Sequence, residues 1–248
     1  PDLQIRNFFD ENAHEMFEGK CLVLCHGLSF FYHPLSFPKN CDIILISPNA
    51  IANKLRENYV HKKGDYALCA VLRDHSKKAS KMLKLICGAL GIPANKTIIS
   101  RLKDEVFSDL FAEQSLLVGG ILAIILSSFE TMCEAGLSEE AAYLSTFHEI
   151  KYIVESISEL GIKGFLSKVS DVARVGSIEA FFESGLKDRM KEEFKKIYAN
   201  IESHKFYNDF IRSSKGGKAG NGLYHKQLSG ILNSRLCDTY ERFKRKNR

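Results

Sequence analysis

Four short, unbroken apolar runs in the first hundred residues, and none afterwards, constrain this chain more than any other feature. They fall at 21–25, 42–47, 66–72 and 97–100, and helix-periodic stretches at 51–59 and 77–90 separate them. An apolar run with no polar alternation is what a strand covered on both faces requires, so the pattern predicts a parallel sheet flanked by helices. Beyond about residue 101 every segment is long and helix-periodic. The reading is an α/β portion over 1–100, the remnant or C-terminal half of a Rossmann-like domain, followed by an all-helical portion over 101–248.

In open parallel sheets the ligand crevice lies beyond the carboxyl ends of the strands. His26-Gly27 directly follows the first run and Pro48-Asn49 the second, which makes His26 and Asn49 candidates for that position. Residues 3–17 read as an amphipathic helix ended by Gly19. In the second portion the helix from 106 is expected to pass through Gly119-Gly120, a costly pair that a close helix crossing would explain. Gly136 reads as a C-cap and Ser138 with Glu139-Glu140 as a helix start. Residues 215–222, rich in Gly and Lys, read as a loop, and the last helix is expected over 224–243.

The carboxylates of Asp109 and Glu113 stand at i and i+4, one above the other on a helix. Magnesium sites are built from one or two carboxylates, with water and substrate completing the shell. The competing reading is a solvated helical face or a structural ion pair, since charged side chains are mostly exposed.

The net charge of +5 is concentrated in the stretch after Lys215 and reads as a basic tail; no basic clusters are interleaved with aromatics as nucleic-acid stacking requires. Seven scattered cysteines without a C-x-x-C pair argue for reduced thiols inside a cell. Cys25 beside His26 is not a nucleophile candidate, because adjacent strand residues point to opposite faces. The opening residues lack a signal-peptide core, and the apolar run at 116–126 is shorter than the roughly 20 residues a membrane crossing needs. The expectation is a soluble, cytoplasmic protein with no membrane or nucleic-acid partner.

The order of parts resembles the ketol-acid reductoisomerases. The matching text is Leu24-Cys25-His26-Gly27, Ser47-Pro48-Asn49, Asp109-Leu110-Phe111-Ala112-Glu113-Gln114 with Gly119-Gly120, Phe129-Glu130-Thr131, Glu134-Ala135-Gly136 and His148-Glu149-Ile150-Lys151. It extends to about Phe210, and the segment around Asp109 is its most specific piece. The resemblance implies magnesium- and NADPH-dependent conversion of 2-acetolactate-type substrates (2-hydroxy-3-keto acids) in branched-chain amino-acid biosynthesis. Asp109 would bridge two magnesium ions and Glu113 would ligate one. Glu149, from a partner subunit, would help hold metal waters and substrate, Ser170 would contact the substrate carboxylate, and His26 would lie near the nicotinamide. An interlocked homodimer or higher oligomer is implied.

Each residue has a plainer reading beside this one. His26 is also a loop residue after a buried strand, Ser170 followed by Asp171 is an ordinary N-cap, and Glu149 suits a surface pair with Lys151. The chain also departs from the family pattern. It carries no Gly-rich turn at a helix N-terminus to hold a pyrophosphate. Asn49 replaces the lysine after the second strand, Ser145 replaces the first of two glutamates one turn apart, and Phe30-Phe31-Tyr32 stand in place of a second histidine. These departures leave a second reading, a non-catalytic homologue kept as a dimeric scaffold or regulatory partner.

Overall fold

The computed structural model describes residue 4 and residues 17–33, 39–214 and 225–246. The helix expected over 3–17 and the loop expected over 215–222 therefore lie almost wholly outside the described residues. The chain forms two compact units, one of Pro1–Leu110 with His204–Ile211, the other of Phe111–Ser203 with Arg212–Arg248.

The first unit is built on a four-stranded sheet in the order β1 (Cys21–Leu24), β2 (Asp42–Pro48), β3 (Ala67–Arg73), β4 (Thr97–Ile99). Helices α1 (Leu28–Tyr32), α2 (Ala52–Val60) and α3 (Ala79–Ala89) lie between the strands, and α4 (Leu102–Ala112) follows β4. Strand β2 is buried on both faces. Ile44 and Ile46 pack with Ala67, Cys69, Ala79, Leu83 and Cys87, while Ile43 with Cys41 packs against Phe17, Leu22, Leu24 and Phe30.

The α/β expectation holds, with one correction. The pairs β1/β2 and β3/β4 are parallel, but β2/β3 is antiparallel, so the sheet is mixed. The cause lies in the connection. Helix α2 has no buried residue, so it cannot lie against a sheet face as a crossover helix must. The chain instead returns at the end of β2 where it left, and the Asn49 amide donates to the Tyr66 carbonyl at 2.8 Å.

Asp42 is buried and shapes the loop between β3 and α3. Its carboxylate accepts the Ser76 amide at 2.9 Å and the Ser76 hydroxyl at 2.6 Å. These bonds, the hydroxyl first, hold its pKa below the ordinary value. Because the folded pKa is depressed, the stabilisation is present above the unfolded value of about 3.9 and is lost as pH falls through the folded one. Asp42→Ala is expected to cost about 2 kcal/mol at neutral pH in urea denaturation, with the difference from the parent chain closing in acid.

The second unit is helical throughout: α5 (Gly119–Glu134), α6 (Glu139–Tyr143), α7 (Ile150–Lys168), α8 (Asp171–Ile178), α9 (Leu186–Glu202), α10 (Lys205–Ser214, shared with the first unit), α11 (His225–Leu232) and α12 (Arg235–Lys246). Its core joins Ile125 and Phe129 of α5 to Ala142 and Tyr143 of α6 and Leu236 of α12. Gly136, at φ +92°, ends α5, and the Ser138 hydroxyl caps α6 by accepting the Ala141 amide at 3.2 Å. Glu139 pairs with Arg235 and Arg242, whose hydrogen bonds pull its pKa down to about 2. The single last helix expected over 224–243 is two, α11 and α12.

Three wide, π-helical turns interrupt the helices, at Glu113–Leu117, Leu144–His148 and Glu179–Glu183. The first corrects the reading of Gly119-Gly120. A Cβ on either glycine would run into the chain's own backbone, at the Gln114 carbonyl for Gly119 and the Ser115 carbonyl for Gly120. The glycines serve a bulge in their own helix, not the approach of another one. Among the described residues one helical stretch, Leu102–Glu134, is long and apolar enough, by length and composition only, to cross a membrane. Asp104, Glu105, Asp109 and Glu113 fall in its first half, and Ile125 and Phe129 in its second half are core residues of the helical unit.

Candidate functional site

At the carboxyl end of β1 the chain turns through Cys25, His26 and Gly27 into α1. The Gly27 amide donates to Oε2 of Glu105 on α4 at 3.0 Å, and Ser47, near the end of β2, lowers the pKa of the same carboxyl. Glu105 is 1% exposed, and its Oε1 has no hydrogen-bond partner. The packing explains the glycine. A Cβ at Gly27 would stand 2.7 Å from Glu105 Oε2 and 2.8 Å from Val106 Cγ2, and would collide with Leu102.

Burial raises the Glu105 pKa; the Ser47 and Gly27 hydrogen bonds and His26 oppose the rise, while Asp109 adds to it. Asp109, one helical turn further on, is exposed as a residue, yet enough protein surrounds its carboxyl to push its pKa up, against a lowering influence of His26. Asp109 has no hydrogen bond or ion pair among the described residues. A carboxylate in that condition is one a cation would stabilise.

His26, Glu105 and Asp109 thus share one electrostatic neighbourhood within the α/β unit. Asn49 is exposed at the end of β2. Glu113, also exposed, is the first residue of the wide turn that follows α4. Among the described residues there is no group of three His, Cys, Asp or Glu side chains placed to hold a metal.

In the helical unit Glu149 is exposed at the N-cap of α7 and lines a cleft of about 400 Å³ with Ser128, Ser145, Thr146 and Ile153. Ser170 does not line that cleft. It caps α8, its hydroxyl oxygen accepting the Ala173 amide at 3.2 Å, as its plainer reading expects.

Sequence reasoning singled out Asp109 and Glu113 but passed over Glu105. The signal was there: Glu105, Asp109 and Glu113 stand at i, i+4 and i+8, three acids on one face of a helix.

For a cofactor the fit is poor. Gly27, at the strand-to-helix turn after β1, is filled over by α4 rather than open to an anion, and α1 has only five residues. Among the described residues no other strand-to-helix turn is rich in Gly, so none of them offers the pyrophosphate of NADPH a cradle.

Residues 1–95 match the family model for the acetohydroxy acid isomeroreductase NADPH-binding domain, and residues 102–230 that for the ketol-acid reductoisomerase C-terminal domain. The ketol-acid reductoisomerase (NADP(+)) of Nitrosopumilus maritimus is 34% identical over 229 residues, covering 92% of this chain and 69% of that protein. That of Sulfolobus acidocaldarius is 34% identical over 224 residues, covering 90% of this chain and 67% of its own length. The solved structure of an NADH-preferring ketol-acid reductoisomerase from an uncultured archean superposes with a TM-score of 0.85 at 22% identity, covering 99% of this chain and 73% of the other. This chain spans about two thirds of the length of the two named enzymes it matches in sequence. Matched by family models over both its portions and by close relatives at this identity, the chain belongs to the ketol-acid reductoisomerase family.

Proposed function

We propose that this chain takes part in the ketol-acid reductoisomerase reaction of branched-chain amino-acid biosynthesis, binding magnesium and a 2-hydroxy-3-keto acid of the 2-acetolactate type. The observation that carries the reading is the unpaired, partly desolvated carboxylate of Asp109 one turn before Glu113, beside the buried Glu105. Asp109 and Glu113 would hold the metal, which supplies Lewis-acid polarisation of the substrate's ketone and hydroxyl oxygens. In the isomerisation an alkyl group moves with its bonding pair from C2 to the carbonyl carbon C3, the C3 carbonyl π pair passes to its oxygen, and the proton given up by the C2 hydroxyl, which becomes the new ketone, ends on that C3 oxygen as the new hydroxyl.

The other residues serve binding and orientation. Ser170 Oγ already accepts one bond, and its hydroxyl proton remains to donate to the substrate carboxylate. Glu149 would reach the site from a partner subunit. A homodimer is supported by the apolar side chains α7 leaves exposed, among them Tyr152, Ile153, Val154, Ile157, Leu160 and Ile162. His26 would face the reacting end of the substrate beside Asp109. No step is assigned to NADPH, since its pyrophosphate does not fit the turns present.

The test is conversion of 2-acetolactate by the chain with magnesium, followed by mass spectrometry and proton NMR for the isomerised 3-hydroxy-2-keto acid. Metal-stripped protein is the control. Product that forms only with magnesium supports the reading. A rate with magnesium no faster than the buffer blank overturns catalysis and favours the scaffold reading, for which Asn49 and Ser145 in the places of a lysine and a glutamate are the specific observations. Fluorescence titration is expected to show no saturation below roughly millimolar NADPH. A micromolar constant would contradict the missing phosphate cradle.

A further inference from the structure

We infer that Glu105 is a positioning residue, pinning the turn after β1 to α4 so that His26 is presented beside Asp109. Its second readout rests on the reading of Asp109 as a magnesium ligand; its first does not. Glu105 is 1% exposed. A buried carboxylate is costly unless hydrogen-bonded, and an apolar side chain of similar size in its place is often neutral or stabilising. Leu102, Val106 and Phe107 on the same helix would suit such a replacement. An acid at this point therefore has work other than packing.

The hydrogen bond says what that work is. The partner of Glu105 is the Gly27 amide, just after β1. The residue joining β1 to Gly27 is His26, with Cys25 before it. No side chain at position 27 could take over the role, because Leu102, the Glu105 carboxylate and Val106 crowd the place of its Cβ. One acid on α4 thus holds the turn after β1, at Gly27, 78 residues away in sequence, and fixes the backbone on which His26 stands.

Glu105→Leu, Glu105→Gln and the parent chain, all full length, are compared by amide hydrogen exchange at Gly27, with the Val23 amide in β1 as internal control. Glu105→Leu is expected to speed Gly27 exchange about tenfold or more, the loss of one charge-assisted bond, with Val23 within about threefold of the parent. Glu105→Gln keeps an acceptor and is expected to restore protection to within about threefold. The second readout is the magnesium concentration that half-saturates the rise in melting temperature, expected to increase about tenfold in Glu105→Leu and to recover in Glu105→Gln.

Unchanged Gly27 exchange in Glu105→Leu, or equal losses at Gly27 and Val23, overturns the inference. Should Glu105→Leu fail to fold, Glu105→Asp decides: its shorter side chain withdraws the carboxylate from the Gly27 amide and is expected to speed Gly27 exchange about threefold, and no change would overturn the pin. A parent chain that shows no magnesium effect sinks the proposed function and leaves the exchange result standing.

Discussion

Asp109→Asn is expected to abolish the magnesium-dependent rise in melting temperature that the proposed function implies, and to lower any magnesium-dependent turnover at least about a hundredfold. Asparagine keeps the size and the helix and removes only the charge. An ion present at a hundred times its dissociation constant stabilises the folded chain by about 2.7 kcal/mol, and a chain of this length gains roughly 2–4 °C per kcal/mol. The parent should therefore rise by about 5–10 °C and the variant not at all.

The sign in the absence of metal separates this from simple unfolding. The Asp109 pKa is raised in the folded chain, chiefly by desolvation. Such a group favours folding most below its unfolded pKa, and its ionised form at neutral pH is worse placed in the folded chain than in the unfolded one. Removing the charge relieves that penalty, so metal-free Asp109→Asn is at least as stable as the parent. Differential scanning calorimetry with and without magnesium reads both effects. An undiminished magnesium shift in the variant would place the ion elsewhere.

Gly120→Ala has the largest expected effect on stability. A Cβ there would overlap the carbonyl oxygen of Ser115, a backbone atom of the wide turn Glu113–Leu117 that no rotamer change can move. Relief requires the turn to rewind, which shifts the register of the residues from Glu113 onward against the core contacts of Ile125 and Phe129. The cost is expected to be about 3 kcal/mol, at the upper end for overpacked sites, or about 6–12 °C in melting temperature. Gly176→Ala is the matched control. Gly176 lies in α8 with open space where a Cβ would go, so alanine there is expected to be neutral or to stabilise by about 0.5–1 kcal/mol. Equal melting temperatures for Gly120→Ala and the parent would show that the bulge does not depend on the glycine.

Much of the site could be read along the chain because its parts are local. The cap at Ser138, the helix stop at Gly136 and the strand runs ending at His26 and Asn49 each depend on neighbours within a few residues, and the structure places all of them as expected. Gly119-Gly120 was visible as an anomaly, but its cause was misassigned. A glycine pair marks close approach without saying whether the approaching backbone is another helix or the same one.

The apolar runs and helical periods were determined by sequence alone, since burial periodicity is a property of each segment by itself. The tertiary structure decided the rest. It set the reversed direction of β3, which follows from α2 finding no face to cover, and the union of Glu105 with Gly27 and Ser47, separated in sequence but adjacent in space. Strand direction and the pairing of a buried acid depend on which distant segments meet. A pattern of period two or 3.6 carries no record of its eventual partner.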